Sequence, residues 1–437
     1  VEADPEELFG SVVAAGQQAL AAAGAPAHAV ALANQGETVL AWDRRTGQPL
    51  TPAIVWQDRR SAGVCDRLAG QADALAAITG LPLDPYFAAP KMTWLRENLT
   101  GGGVVTTTDT WLLHRLGGQY VTDAATASRT MLLDLDAVTW SEAACAAFGL
   151  DAAALPAVAD CAGVVGETAA FGPPLPIAGI AVDQQAALLA EGCMAPGDAK
   201  CTYGTGAFLL VTTGPAAARS SAGLSASVAW QLGGATTYCL DGQVYTAGSA
   251  VRWLAGLGVL ADPAGLDAAG AAVPNSGGVI FVPALAGLGA PFWQPGARGL
   301  LTGLHLGTER GHLVRAVAEG IAASVALLVS AALSDMGGDL TALRVDGGLT
   351  RSRLLMQAQA DLLQRPVLIC RSADATALGV AALARLGLGD AASAALAVAP
   401  PEMGTGVEAV VEPAISADEA AERTVAFRSA LQLALAG

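Results

Sequence analysis

The sequence predicts an α/β protein with two domains. The chain has 437 residues, which is more than one hydrophobic core usually organises. Its residues are 53% hydrophobic and only 14% charged, so the chain can bury large cores and is not a disordered one. Short β-rich runs alternate with Ala-rich helical runs, which is the pattern of an α/β fold.

The elements of the first half follow from caps, periodicity and turn residues. Asp4 is a helix N-cap, because Pro5 and two glutamates follow it at the start of an Ala-rich run. The predicted elements are, in order, a helix over 4–23, strands over 28–33 and 38–42, a turn over 43–47, a strand over 175–182 and a helix over 184–191.

Residues 194–198 predict a linker, so we expect domains over 1–193 and 197–437. The apolar run 321–333 has serines within it and predicts a buried core helix, too short to span a bilayer. The elements predicted beyond the linker are strands over 201–203 and 207–213 around a turn at 204–206, a helical stretch over 249–254, a strand over 342–346, a turn at 347–348, a helix over 353–363, a strand over 366–370, a helix over 375–386, a Pro/Glu-rich loop after 398 and a last helix from about 417.

Composition excludes several functional classes. A net charge of −16 argues against nucleic-acid binding. The two lysines, Lys91 and Lys200, lie outside any P-loop pattern, and the four histidines have no metal-site spacing. Seven cysteines without a C-x-x-C pair are typical of buried thiols in a reducing compartment. We therefore expect a cytoplasmic protein that does not bind membranes. Because Val1 is not a methionine, we also expect the chain to begin inside a longer protein.

Asp183 is the best candidate for a catalytic residue. It lies where a strand of small apolar residues meets a helix, and ligands of open α/β sheets collect at such strand ends. A carboxylate there can accept a proton from a substrate hydroxyl. The alternative is that Asp183 only caps the following helix.

Two glycine-rich turns suggest an anion site. Gly204-Thr205-Gly206 predicts a hairpin tip whose backbone N–H groups can approach a phosphate closely, and Gly347-Gly348 follows another strand. Each could be an ordinary turn, but together they suit a bound nucleotide. The match of residues 256–261 to a dinucleotide fingerprint is rejected because a helical stretch precedes it.

Glu37, Trp56 and Tyr86 suggest a binding site for a polyhydroxylated ligand. A carboxylate can bond hydroxyls while aromatic rings cover the carbon face. The alternative is that both aromatic residues belong to the core.

These segments, in this order, resemble the FGGY family of carbohydrate kinases, and within it the branch that phosphorylates glycerol. The resemblance covers nearly the whole chain. It rests on residues 34–38, 53–60, 84–87, 109–111, 127–130, 179–188, 202–208, 247–254, 281–293 and 345–357.

The resemblance implies an actin-like (ribonuclease H-like) ATPase fold with two domains around a cleft that closes over ATP, Mg²⁺ and a polyol. It assigns Asp183 as the general base and places Gln184 beside it on the substrate. The implied polyol-binding positions are Glu37, Trp56, Tyr86 and Phe208. The implied nucleotide-binding positions are Gly204, Thr205, Gly248, Arg252, Gly348 and Ser352. No metal-ligating residue is assigned.

The sequence departs from the family pattern in three ways. Gly36 replaces an arginine of the N-Q-R-E-T signature, which removes hydrogen-bond donors and opens space, so we expect weak glycerol binding or a larger polyol or ketose. Arg252 and Ser352 stand where amide side chains are usual. The first strands, with their D-x-G-T-T turn, should precede Val1, so we expect the first domain to lack them.

Two alternatives stay open at this stage. One is a kinase of the same family for a tetritol or a pentulose, and the other is an actin-like nucleotide-binding protein without transferase activity. The expected partner is a small-molecule substrate, and a homo-oligomer is compatible with the sequence.

Overall fold

The computed structural model describes residues 1–371, 374–389 and 406–436. The loop predicted after residue 398 begins outside the described residues. The strands are β1 Glu2–Ala3, β2 Val30–Asn34, β3 Val39–Trp42, β4 Ala53–Ile54, β5 Val104–Thr107, β6 Val121–Asp123, β7 Leu133–Asp134, β8 Thr139–Trp140, β9 Ala157–Ala159, β10 Ala162–Thr168, β11 Leu175–Val182, β12 Ala199–Tyr203, β13 Ala207–Gly214, β14 Ser225–Leu232, β15 Ala235–Val244, β16 Ile280–Val282, β17 Leu300–Thr302, β18 Leu343–Asp346, β19 Val367–Cys370 and β20 Val407–Val411.

Helices lie between these strands along most of the chain. They are α1 Pro5–Ala23, α2 Ala62–Leu68, α3 Ala72–Thr79, α4 Ala88–Asn98, α5 Thr108–Gly117, α6 Ala124–Ser128, α7 Glu142–Ala147, α8 Asp183–Ala190, α9 Gly248–Gly256, α10 Leu266–Gly270, α11 Arg310–Met336, α12 Arg353–Leu363, α13 Ala375–Gly387 and α14 Ala417–Ala436. Short 3₁₀ turns cover Ala69–Gln71, Ala152–Ala154, Pro263–Gly265 and Gly348–Arg351. The α/β class predicted from the sequence is confirmed.

Most of the predicted elements in the described residues are present, with ends that shift by one or two residues. The cap of α1 is as predicted, since Asp4 Oδ1 accepts hydrogen bonds from the backbone N–H groups of Glu6 and Glu7 at 2.8 and 3.2 Å. Strand β11 and helix α12 have the predicted bounds.

The central sheet has ten strands in the order β2-β11-β10-β14-β15-β13-β12-β18-β19-β20. The strands from the first half of the chain (β2, β11 and β10) join those from the second half where β10 and β14 pair in parallel, with Ala162 opposite Leu232. Strand β2 runs parallel to β11, with Asn34 opposite Val182. Because parallel strands end at the same edge of a sheet, the segments after Asn34 and Val182 emerge side by side.

Helix α11 is longer than the predicted run 321–333, so the expectation that it is too short to span a bilayer was wrong. Among the described residues it is the one helix long and apolar enough to cross a membrane. However, 67% of its most apolar window is buried inside the protein, and the helix packs on β16, β15 and α12. It is therefore a core helix, as predicted.

Helix α13 packs on elements from the first half of the chain, chiefly α8 and β11. The approach is close, because a Cβ atom on Gly179 of β11 would lie 2.6 Å from the backbone nitrogen of Ala384. A helix from late in the sequence thus packs on the strand that leads to Asp183. The division of the chain at residues 194–198 stays a prediction.

Candidate active site

A cavity of about 390 Å³ opens where the two halves of the chain face each other. Eight of the predicted site residues line it: Glu37, Trp56, Tyr86, Asp183, Gln184, Gly204, Thr205 and Phe208. The other four predicted positions, which are Gly248, Arg252, Gly348 and Ser352, lie outside its lining.

Asp183 lies at the carboxyl end of β11 and is the first residue of α8. The N-cap of α8 is Val182, which makes no side-chain cap, so Asp183 is not the N-cap residue. Its Oδ1 accepts a hydrogen bond from the N–H of Gln184 at 2.8 Å. Burial raises the pKa of the Asp183 carboxyl above its ordinary value, and the charge of Lys200 opposes this rise.

Lys200 is fully buried beside Asp183. Its Nζ donates hydrogen bonds to Gln184 Oε1 at 2.6 Å and to Thr202 Oγ1 at 2.8 Å. The lysine on β12 therefore orients the amide next to the carboxylate and supplies positive charge behind the cavity residues Gln184 and Thr202.

A buried ion cluster forms the polar floor of the cavity. Arg129 Nε donates to Glu37 Oε1 at 2.6 Å, and Arg129 Nη1 donates to Asp241 Oδ2. All three side chains are buried. Burial raises the pKa of Glu37 and of Asp241, and the Arg129 guanidinium opposes both rises. Glu37 has a positive φ of 64°, unusual for a residue with a Cβ atom, and this turn follows directly after β2.

Three aromatic rings form the apolar wall. Trp56 packs edge-on against Tyr86 at 5.6 Å and against Phe208 at 5.8 Å between ring centroids. Tyr86 also belongs to the buried core of the first half, so the core interpretation holds for this residue, and its contact with a polyol stays a prediction. Such a wall with carboxylates at its edge suits the carbon face and the hydroxyls of a polyol.

The hairpin between β12 and β13 carries the glycine-rich tip at 204–206. The tip is anchored to the start of α9, because the N–H of Gly248 donates to the carbonyl of Gly204 at 3.0 Å. Gly347 has a φ of 95°, and a Cβ atom there would lie 2.5 Å from the carbonyl oxygen of Tyr203. Both glycine turns predicted to serve a nucleotide therefore meet at this hairpin.

Arg252 and Ser352 lie farther along these elements. Arg252 is exposed on α9. Ser352 caps α12 by accepting from the N–H of Leu355 at 3.2 Å, and its hydroxyl donates to Asp267. The Ser352 hydroxyl thus has a structural role, and its contact with a nucleotide stays a prediction.

Sequence reasoning assigned no role to four residues that shape the site: Lys91, Arg129, Lys200 and Asp241. Lys91 and Lys200 are the two lysines of the chain, and this rarity was the one signal in the sequence that could have marked them. Both are buried. Arg129 lies in one of the segments that carry the family resemblance. Asp241 is the one that no local pattern marks, because its partner is 112 residues away.

Taken together, the fold and the site define a two-part α/β phosphotransferase, with a carboxylate at a strand end facing a glycine-rich hairpin. Family models for the N-terminal and C-terminal domains of the FGGY family of carbohydrate kinases match residues 1–190 and 199–388. The chain belongs to this family, and it is an ATP-dependent phosphotransferase with the actin-like fold. The resemblance stated from the sequence is confirmed.

Curated relatives and solved structures agree with this assignment. The chain is 46% identical to a glycerol kinase of Alkalilimnicola ehrlichii over 407 residues, which cover 89% of this chain and 82% of the relative. It is 41% identical to a glycerol kinase of Janthinobacterium over 456 residues, which cover 100% and 91%. The structure of Plasmodium falciparum glycerol kinase with ADP superposes with a TM-score of 0.90 at 31% identity, covering 99% of this chain and 90% of that one. A xylulose kinase of Rhodospirillum rubrum superposes with a TM-score of 0.85 at 26% identity, covering 99% and 89%.

Proposed function

We propose that this protein transfers the γ-phosphoryl group of ATP to a terminal hydroxyl of glycerol. The observation that carries the proposal is the position of Asp183, whose carboxylate shares one cavity with Glu37, the aromatic wall and the tip of the 204–206 hairpin. The identity of 41–46% to glycerol kinases over most of the chain supports glycerol as the substrate.

The chemistry requires positioning more than covalent participation by the protein. In the proposed reaction, the substrate oxygen forms a bond to the γ-phosphorus while the bond from that phosphorus to the β-phosphate oxygen breaks and ADP leaves. The hydroxyl proton passes to Asp183, whose raised pKa brings the carboxylate closer to the operating pH and makes it a better base. Glu37 would accept a hydrogen bond from a second hydroxyl, and Trp56 would cover the carbon face.

We propose that Gly204 and Thr205 hold the ATP phosphates, with the N–H of Thr205 as the donor, because the N–H of Gly204 already donates to the carbonyl of Gly206 at 2.9 Å. Turns of this kind bind phosphate through N–H groups and need no lysine. This fits a chain in which both lysines are buried and engaged in bonds within the protein. Gly248, Arg252, Gly348 and Ser352 would then lie along the nucleotide beyond the phosphates.

Mg²⁺ is proposed as the counter-ion of ATP. Among the described residues no group of three His, Cys, Asp or Glu side chains is placed to hold a metal, but Mg²⁺ bound by phosphates needs only one or two carboxylates. Asp346 fits this need, since its Oδ1 is buried without a hydrogen-bond partner in the described part of the chain and it pairs with the cavity residue Thr202 across β18 and β12. Asp346 would hold the ion, which neutralises charge on the phosphates.

We also propose that residues 1–193 bind the substrate and residues 197–437 bind the nucleotide. The seven cysteines are buried, and buried thiols of this kind are usual in a reducing compartment, so we propose that the enzyme works in the cytoplasm.

The test is ADP release across a panel of glycerol, erythritol, xylitol and xylulose, with wild type beside Asp183→Asn. We expect the variant to lose activity by at least about a hundredfold with every substrate, because one proton acceptor is removed. Asp66→Asn is the matched control, since Asp66 is an exposed aspartate on α2, and it should behave as wild type. ATP hydrolysis that needs no polyol and survives Asp183→Asn would instead indicate a nucleotide-binding protein without transferase activity.

A second candidate substrate is a longer polyol or ketose. The observation that favours it is Gly36, which lines the cavity without a side chain. Higher kcat/KM for erythritol, xylitol or xylulose than for glycerol would establish this alternative.

A further inference from the structure

We infer that Arg129 is a specificity-determining residue that holds a non-reacting hydroxyl of the substrate, in place of a side chain at Gly36. This inference rests on the proposed function, because it concerns the same cavity and a polyol substrate. Arg129 lines the cavity together with both of its carboxylate partners, Glu37 and Asp241.

Two of the five guanidinium N–H donors are used inside the protein. Nε donates to Glu37, and Nη1 donates to Asp241. Nη2 makes no hydrogen bond with any residue that the structure describes. This nitrogen also keeps some exposed surface, because it is not one of the fully enclosed polar atoms that lack a partner. A guanidinium leaves such a donor at a cavity only if water or a ligand satisfies it, since an unsatisfied buried donor is costly. A substrate hydroxyl is a suitable acceptor.

The guanidinium is fixed before substrate arrives. The carbon at its centre lies 5.2 Å from the ring centroid of Phe87 and 5.8 Å from that of Tyr86. With carboxylates on two sides and aromatic rings beside it, the group has little freedom to lose when a ligand binds. Its positive charge is balanced by Glu37 and Asp241, so it favours a neutral hydroxyl over an anionic group.

Arg129 lies directly behind position 36. A Cβ atom built on Gly36 would be 3.8 Å from Arg129 Cγ and 3.3 Å from Val182 Cγ1. Both residues line the cavity, and glycine adds no side-chain atoms at position 36. Position 36 is thus a neighbour of the stem of Arg129, and a donor of Arg129 can serve the substrate where position 36 has no side chain.

The closing experiment compares glycerol with its two deoxy analogues, 1,2-propanediol and 1,3-propanediol, which each lack one hydroxyl that could bond Arg129. We expect wild type to prefer glycerol over at least one diol by at least roughly a hundredfold in kcat/KM, because a site built around a hydroxyl strongly rejects the analogue that lacks it. In Arg129→Lys, which keeps the charge but not the fork of donors, this preference should fall below about tenfold, mainly through a higher KM for glycerol. A purely structural role for Arg129 would lower kcat/KM for glycerol and the diols alike.

Arg67→Lys is the matched control, because Arg67 is an exposed arginine that pairs with Glu97 on the surface; it should retain the wild-type preference. If Arg129→Lys does not fold, Asp241→Asn is the second variant. It keeps Arg129 and its bond to Glu37 but weakens the hydrogen bond that holds Nη1. The preference for glycerol over the diol should therefore fall at least about threefold.

The outcomes separate the inference from the proposed function. Wild type without any ADP release on glycerol would refute the proposed function. Wild type that is active but accepts both diols within about tenfold of glycerol would overturn the role of Arg129. An Arg129→Lys variant that keeps the full preference would overturn it as well.

Discussion

Lys91 is expected to determine the stability of the aromatic wall, and Lys91→Met tests this. The side chain on α4 is fully buried. Its Nζ donates hydrogen bonds to the carbonyl oxygens of Pro85, Tyr86 and Phe87 at 2.9, 2.5 and 2.6 Å. Methionine has a similar length and no donor, so the substitution leaves the core filled and removes only the polar contacts.

The magnitude follows from these contacts. Hydrogen bonds to a charged group contribute about 1.5–3 kcal/mol each, but burying an ammonium group costs several kcal/mol. The substitution leaves three buried carbonyl oxygens without this donor, at about 1–3 kcal/mol each, and it also relieves the cost of burying the ammonium group. The net loss in free energy of unfolding should therefore lie in the lower part of that sum, at about 3–5 kcal/mol. With an unfolding entropy of about 2.1 cal/mol/K per residue, that loss corresponds to a fall in Tm of roughly 3–5 °C for a chain of this size that unfolds as one unit.

The assay is thermal unfolding followed by circular dichroism, with KM for the polyol measured beside it. KM should rise, because the Tyr86 backbone loses its anchor. Arg96→Met is the matched control. Arg96 lies on the same helix and is half-buried, but its hydrogen bonds to the carbonyls of Gly102 and Gly103 are exposed, so the Tm should change by less than about 2 °C. A Tm of Lys91→Met within about 2 °C of wild type would refute the reasoning.

A pH series adds a second readout. Burial lowers the pKa of Lys91 from 10.5 to about 7. Between these values the folded state binds fewer protons than the unfolded state, so the stability of wild type relative to Lys91→Met should increase from pH 7 toward pH 9. A constant difference across this range would contradict the lowered pKa.

Three further predictions concern charge and space. Burial and the nearby carboxylate of Asp109 raise the pKa of Asp123 from 3.8 to about 7, so wild type should lose stability as the pH rises from 4 to 7. Asp123→Asn should therefore raise the free energy of unfolding at pH 8 by about 1–3 kcal/mol. Equal Tm values for the two proteins at pH 8 would count against this. Because the pKa of Asp183 is raised, kcat/KM should fall with decreasing pH at a pH above the ordinary value of 3.8 for aspartate, and a profile flat down to pH 4 would exclude Asp183 as the base. Gly36→Arg should increase the preference for glycerol over erythritol at least about tenfold, because the new side chain fills the cavity with only a small adjustment of Val182. An unchanged ratio of kcat/KM for the two substrates would mean that position 36 does not limit substrate size.

Local chemistry in the sequence predicted most of the elements. Asp4 with Pro5 marks the start of α1, and the run of small apolar residues before Asp183 marks β11, because caps and periodicity act over a few residues. The family resemblance went further, since eight of the residues it singled out line one cavity. Each of these signals is contained within a short segment of chain.

Contacts between distant segments were beyond such signals. The bond from Arg129 to Asp241 joins residues 112 positions apart, and nothing near Asp241 indicates that its carboxylate is buried against an arginine. The packing of α13 on β11, like the full 27-residue length of α11, also depends on which apolar surfaces meet. Helix length and burial are set by tertiary packing more than by propensity.

The sequence by itself determined the α/β class, the catalytic-residue candidate Asp183, the glycine-rich hairpin and the family. Only the tertiary structure decided that Glu37 and Asp241 both bond Arg129, and that the ammonium groups of Lys91 and Lys200 donate hydrogen bonds that hold the site in place. The physical reason is that the cost of burying a charge, and the partner that offsets it, exist only once distant strands and helices have closed around it.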